Sequence, residues 1–376
     1  MLLFIALANA PGLAPGNPVQ NAAIAAYEAI ANLLMNTFVY ARAYPVFAIM
    51  FGYGIVQLAL RQKAAGANPT VARRVLLRRN AALVLFGFFH AALLYFADFL
   101  GAYGLIGIAA TLLLLESERA QRILLWVWLL PIVEMIALAV FIAIGLSNGG
   151  APADTSAGFV ASAVAPNYLS SIIARLSEWP MHTATILPAL FIVNLGMWAA
   201  RRRMLENPAS HERLLRWVAL SCLAIAFVGG LPHTLVLSGS LQADAQTAML
   251  INILHKVSGM FGGPGYIALI ALAALRLSRG PRPPRSNSVV RAMTALGQRS
   301  LSGYLFQSIV WLVVFAPYTL AFGYRVSSAL LASLAVALLA WILSLLGAVL
   351  CERYSYRGPA ETVLRKLVYG SRYRLR

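Results

Sequence analysis

Apolar stretches long enough to cross a bilayer recur along this chain, and nothing constrains its fold more. A hydrocarbon core about 30 Å thick asks for roughly 20 apolar residues per helix. By that criterion about ten windows qualify, starting near residues 1, 41, 79, 100, 121, 183, 213, 249, 300 and 326. The first is short. Hydrophobic residues make up 60% of the 376 and charged residues only 11%, whereas soluble domains run near a quarter charged. The expected fold is all-α: a polytopic transmembrane bundle of about ten helices.

The net charge of +18 invites a nucleic-acid reading, and its distribution argues against one. Arg61, Lys63, Arg73, Arg74, Arg78 and Arg79 crowd one loop, and Arg119 and Arg122 the next short one. Arg201, Arg202, Arg203, Arg213 and Arg216 form a third cluster, and Arg276, Arg279, Arg282, Arg285, Arg291 and Arg299 a fourth. The tail adds Arg353, Arg357, Arg365, Lys366, Arg372, Arg374 and Arg376, leaving only Arg42, Arg175, Lys256 and Arg325 for the other side. This is the positive-inside bias, which places both termini in the cytoplasm. The charge reports topology, and no nucleic-acid partner is expected.

Cys222 and Cys351 form no CxxC or Cys/His pair, so neither zinc nor a disulfide framework is expected. The opening "MLLFIALANAPG" ends in a small-residue site like that of a signal peptide. It has no basic leading region, and the expectation is a retained first helix.

The expected organisation is a main transmembrane body over residues 1–275, with about eight helices and external loops at 11–40 and 147–180. A basic cytoplasmic connector over 276–299, a closing hairpin over 300–350 and a basic tail over 351–376 follow. Within the first loop, "NAAIAAYEAIANLLMNTFVY" suits an interfacial or re-entrant helix. The second begins as a Gly, Ala and Ser linker, "SNGGAPADTSAG". No fixed-period repeat is visible.

"FFHAALLYFADFLGAYG", Phe88 to Gly104, carries two ionisable groups in a run suited to lipid. A charged group at the bilayer centre costs roughly 2.5–3.5 kcal/mol on insertion scales, which makes each one a functional candidate. His90 lies eleven residues past Arg79, about 16 Å along a helix, near mid-membrane. Asp98 is expected two turns further, at the outer end of the same helix. Eight residues separate the two, so they sit about 80° apart and cannot touch along a straight helix; Gly101 then lets the chain bend. One reading makes His90 a general base or nucleophile, with Asp98 orienting it or the acceptor. The other makes His90 a neutral, hydrogen-bonded residue between helices and Asp98 a helix-end polar group.

His182, His233 and His255, with Lys256, are expected at the outer boundary, and His211 on the cytoplasmic side. Glu134, within the fifth span, reads equally as a structural partner or a proton site. No Walker loop, GxGxxG, HExxH or hydrolase-type Ser, His and Asp motif occurs. "MFGYG", Met50 to Gly54, reads as a close helix contact.

Five blocks together resemble the YeiB-like bacterial inner-membrane proteins, whose C-terminal region is catalogued as a domain of unknown function. "ANAPG" around Asn9 is similar to the end of the family's first helix. "VFAIMFGYG" resembles its LFGxG block through Phe47, Phe51, Gly52 and Gly54. The signature block matches through Arg78, Arg79, Gly87, His90, Asp98, Leu100, Tyr103 and Gly107. "GQRSLSGYLFQS" is similar through Gly297, Leu301, Tyr304, Gln307 and Ser308, and "RGPAETVLRKL" through Gly358, Pro359, Glu361 and Arg365. Departures are Ala97 for the glycine before the aspartate, Ser302 and Gly303 for Thr-Asn, and a start already inside the first helix. The family opens with an Arg-Gly half-turn before it.

The resemblance implies the transmembrane acyltransferase superfamily, whose members take an acyl group from cytoplasmic acyl-CoA and deliver it outside. It implies residence in the bacterial cytoplasmic (inner) membrane, with acyl-CoA as donor substrate and no metal. The expected partners are membrane lipids, acyl-CoA and an external acceptor; the oligomeric state stays open, a homodimer included. On that reading His90 and Asp98 are the catalytic candidates. Arg78 and Arg79 face CoA phosphates, while Asn9, Tyr103, His255, Tyr304 and Gln307 hold substrate, with Tyr103, Tyr304 and Gln307 as the donors that hold the oxyanion. The rival is a transporter or flippase of a lipid-linked or amphipathic solute, whose buried ionisable groups relay protons.

Overall fold

The structure, a computed structural model, describes residues 1–17, 19, 21–150, 158–280 and 287–370. Arg282, Arg285, Arg372, Arg374, Arg376 and most of the Gly, Ala and Ser linker lie outside them. Lipid offers no partner for a bare N–H or C=O, so spanning segments close their hydrogen bonds internally. Among the described residues every regular element is accordingly helical.

The order is α1 (Leu2–Asn9), α2 (Ala22–Phe38), α3 (Ala43–Ala64), α4 (Pro69–Leu93), α5 (Leu100–Leu113), α6 (Glu118–Trp126) and α7 (Leu129–Asn148). Then come α8 (Tyr168–Ile186), α9 (Leu190–Arg201), α10 (Glu212–Leu237), α11 (Ala245–Gly259) and α12 (Gly262–Ser278). The chain closes with α13 (Ser288–Gln298), α14 (Ser300–Phe315), α15 (Ala329–Arg353) and α16 (Pro359–Tyr369). Among the described residues, 7 stretches are long and apolar enough to cross a membrane, the pairs α2–α3, α6–α7, α8–α9 and α11–α12 each falling within one stretch; α5 and α14 are apolar but shorter. The protein is a multi-pass membrane protein. With 8 residues, α1 extends only about 12 Å.

Local chemistry sets the helix starts. Asn68 accepts the Val71 N–H with Pro69 in the first turn of α4, and Asn21 accepts from Ala23 and Ile24 at the head of α2. Asn167 and Ser170 form a reciprocal box at the head of α8. The Pro11 to Tyr40 stretch thus holds a helix, α2, exposed over most of its length.

Glycine sets how closely the spans approach. A Cβ on Gly52 would strike the Val193 carbonyl and one on Gly196 the Ile49 carbonyl, so α3 and α9 meet backbone to backbone. Met50 to Gly54 is therefore a helix contact, carried by Gly52 alone, because a Cβ on Gly54 would meet nothing.

The basic loops converge on one face. Arg201 donates to the Leu115 carbonyl, Arg279 pairs with Glu212 at 2.7 Å and Arg299 donates to the Tyr356 carbonyl at 2.9 Å. The loops without arginine clusters meet on the opposite face, where Tyr168 donates to the Leu93 carbonyl at 3.0 Å and Asn17 to the Tyr324 carbonyl at 3.3 Å.

Four expectations change. Glu134 is exposed on α7 rather than buried. The connector over 276–299 contains α13, which packs on α15. His255 lies within α11 rather than at its outer boundary: Asp244 caps α11 by accepting the Thr247 N–H at 2.7 Å, and His255 sits ten residues after the first helical residue, Ala245. Finally, Asp98 is not on the helix of His90, because α4 stops at Leu93.

Candidate functional site

The break after Leu93 builds the site. Arg175 of α8 donates to the Leu93 carbonyl at 2.9 Å and the Ala92 carbonyl at 3.4 Å, occupying acceptors that a longer α4 would have used. The Leu94 and Tyr95 N–H groups both fold back on the His90 carbonyl. Five residues after Leu93, Asp98 stands just ahead of α5, which begins at Leu100. Its Oδ1 accepts the Leu100 N–H at 3.1 Å and its Oδ2 the Gly101 N–H at 2.6 Å. The chain thereby reverses, and Asp98 returns beside His90 with Oδ1 2.9 Å from Nδ1.

Glycine permits that return. A Cβ on Gly87 would collide with the Gly101 nitrogen and Asp98 Oδ2. On the other edge of the imidazole, Nε2 lies 2.8 Å from Ser308 Oγ on α14. The Tyr304 ring packs on the imidazole with centroids 4.8 Å apart. Asp98 is 0% and His90 2% exposed, so both nitrogens are engaged in an enclosed, polar setting. A carboxylate accepts only, so Nδ1 carries the proton toward Asp98 and Nε2 accepts from the Ser308 hydroxyl.

Two cavities approach this cluster from opposite sides. One, of about 210 Å³, opens between α1, α3 and the start of α5, lined by Asn9, Tyr40, Tyr44, Phe99 and others. The second, of about 230 Å³, opens toward the basic face, lined by Arg79, Tyr103, Gln298, Ser300 and Glu361 among others. Phe47, Leu100 and Tyr304 line both. They are a shared wall, and His90 stands directly behind the Tyr304 ring.

The expected site residues separate into groups. Asn9 lines the first cavity, Arg79 and Tyr103 the second, and Tyr304 both. Tyr103 donates to the Tyr44 carbonyl at 3.1 Å. Arg79 lies over the Phe51 ring at 5.5 Å, and its Nη1 is enclosed without a hydrogen-bond partner. Gln307 is 2% exposed and neither amide atom is bonded. Arg78 is exposed and lines neither cavity.

His255 lies elsewhere. Arg42 Nη1 is 3.1 Å from its Nδ1 and 3.2 Å from its Nε2, and the His233 ring stacks against it at 4.6 Å. His182 does approach the site, its ring set edge-on against Phe99 at 5.6 Å.

Sequence reading missed the placement of Ser308, although it stands four residues, one turn, after Tyr304 in "GYLFQS". The resemblance names Glu361 but not its role: its carboxylate accepts the Leu301 N–H at 2.9 Å, the Ser302 N–H at 3.0 Å and the Ser302 hydroxyl. That carboxylate caps α14 and so anchors α16 under the second cavity. Among the described residues no set of three His, Cys, Asp or Glu side chains is placed to hold a metal ion.

Residues 199–371 match a family model described as "Protein of unknown function (DUF418)". The chain is similar to uncharacterized protein YxaH of Bacillus subtilis (strain 168), 23% identical over 361 residues, covering 90% of this chain and 82% of that protein. It is also similar to uncharacterized protein YeiB of Escherichia coli (strain K12), 25% identical over 382 residues, covering 98% and 92% respectively. These matches support the YeiB-like resemblance. No solved structure matches the chain.

Proposed function

We propose that the protein is a membrane-bound acyltransferase that moves an acyl group from acyl-CoA to an acceptor on the far side of a bacterial inner membrane. The acceptor class is a glycan, lipid or small molecule carrying a hydroxyl. The observation that carries the reading is the pair of cavities meeting at Phe47, Leu100 and Tyr304, with the Asp98–His90 pair behind Tyr304.

The donor suits the cavity on the basic face, which the positive-inside rule makes cytoplasmic. There the free Nη1 of Arg79 would meet phosphate or carbonyl oxygen. The acceptor suits the opposite cavity, beside Asn9. Transfer from a thioester to a hydroxyl needs a base, and imidazole is the side chain whose ordinary pKa, about 6.5, lies nearest neutrality. His90 fills that role and Asp98 orients it. Because His90 lines neither cavity, Tyr304 has to swing aside in the working cycle.

The test uses proteoliposomes supplied with labelled acyl-CoA on the basic face. Label on a product at the opposite face supports the reading. Complete transfer by a folded His90→Ala variant removes His90 from the mechanism. One observation favours a second reading: two half-cavities divided by one wall are also what alternating access requires. Movement of the acceptor without acylation would select a transporter.

A further inference from the structure

Resting on the acyltransferase reading, we infer that Ser308 carries the acyl group covalently, so that transfer passes through an ester on α14. Ser308 Oγ lies 2.8 Å from His90 Nε2, and His90 Nδ1 lies 2.9 Å from Asp98 Oδ1. This is the order and spacing of a nucleophile, its base and the carboxylate that orients the base, a constellation recognised by geometry rather than by sequence position.

Two further observations point the same way. Gln307, beside Ser308, is buried with both amide atoms unbonded. A buried polar group left so in a native structure signals an absent partner, and its N–H donors are free for an oxyanion formed next to Ser308. The cavities also share the ring of Tyr304, one turn before Ser308, as a common wall. A carrier serine lets donor and acceptor react in turn, each from its own side, without both occupying the wall at once. Ser308 is 5% exposed, so each half-reaction begins when Tyr304 leaves the imidazole.

The steps balance. Ser308 gives its hydroxyl proton to His90 Nε2 as Oγ attacks the thioester carbonyl. The C–S bond breaks, and the departing thiolate takes that proton and leaves as free CoA. In the second half, an acceptor hydroxyl gives its proton to Nε2 and attacks the Ser308 ester. The bond from Oγ to the acyl carbon breaks, and Ser308 recovers its proton from His90. No oxidant or reductant takes part.

The experiment incubates the purified full-length protein with radiolabelled acetyl-CoA or palmitoyl-CoA, without acceptor. Stoichiometry, CoA release and the labelled peptide are then read by scintillation and mass spectrometry. The expected result is one acyl group per chain on the peptide containing Ser308, formed in a burst with equimolar CoA. Ser308→Ala should lose the adduct and lower transfer at least 100-fold while keeping the wild-type elution profile and melting temperature. Ser308→Cys should take up label as a thioester that neutral hydroxylamine cleaves. An adduct on His90, or a wild-type protein that transfers acyl groups with no adduct at Ser308, overturns the inference and leaves the acyltransferase reading standing. A wild-type protein that neither takes up label nor transfers it to any product overturns both.

Discussion

Two buried histidines sit within this bundle, and their neighbours give them opposite capacities. His90 lies between a carboxylate and a hydroxyl, Asp98 at 2.9 Å and Ser308 at 2.8 Å. His255 lies against a guanidinium, that of Arg42, and packs on a second imidazole, His233. Arg42 is 0% exposed and is held by the Tyr40 carbonyl at 2.7 Å and by the Ala226 carbonyl. No carboxylate pairs with it among the described salt bridges. A guanidinium only donates, so His255 serves Arg42 as an acceptor. Asp98 instead holds one nitrogen of His90 and leaves the other facing the Ser308 hydroxyl. Burial and residue type are the same in the two clusters; the partner decides which ring can move a proton.

The sharpest way to break this contrast is to truncate each ring. His90→Ala should lower transfer about 10²–10⁴-fold, the usual worth of a positioned base, with the melting temperature close to wild type. His255→Ala should do the reverse, lowering the melting temperature while activity per folded molecule stays within about tenfold. A His255→Ala protein that melts normally but is inactive would erase the distinction.

Asp98→Asn comes next. An amide nitrogen only donates, so in either flip it opposes a backbone N–H, that of Gly101 or of Leu100, and the contact that orients the ring is disturbed. A fall of roughly 10² in kcat with little change in KM is expected from steady-state assays. A rise in KM with kcat unchanged would make Asp98 a binding residue.

Gly87→Ala probes the same contact from the backbone side. Its Cβ would press on Asp98 Oδ2 and the Gly101 nitrogen, and overpacking of this kind costs about 1–3 kcal/mol. Gly54→Ala is the control: its Cβ would meet open space, and removing a helix glycine should stabilise by about 0.5–1 kcal/mol. Thermal unfolding in detergent separates the two, and equal melting temperatures would mean that the α4–α5 contact yields freely.

Arg42→Lys tests the other cluster through stability alone. A point charge cannot reach two carbonyls and His255 together, so about 1.5 kcal/mol of stability should go with the lost charged hydrogen bond. Activity per folded molecule should stay constant, and a fall in KM or kcat would tie the His255 cluster to substrate.

Much of the fold was legible because its causes are local. A window of apolar residues must be helical in lipid, whatever it packs against, and the expected windows do coincide with helices. Asn21, Asn68 and Asn167 announce helix starts in the same way. The site was legible only in part. Spacing singles out His90 and Asp98 as a pair worth examining but puts them on one helix where they could not touch, whereas the structure brings them together at 2.9 Å across a chain reversal. The helix stops because Arg175, 82 residues from Leu93, occupies its last carbonyls, and no local pattern carries that information. Ser308 was invisible as a partner for the same reason, since it lies 218 residues from His90.

Sequence by itself determined the all-helical, multi-pass architecture and its charged face, because bilayer thickness and the cost of exposed backbone act on each segment independently. Tertiary structure alone decided which ionisable groups meet. Whether an imidazole faces Asp98 or Arg42 depends on helix ends and crossings set by distant residues, and electrostatic partnership falls off too steeply with distance for spacing along the chain to predict it.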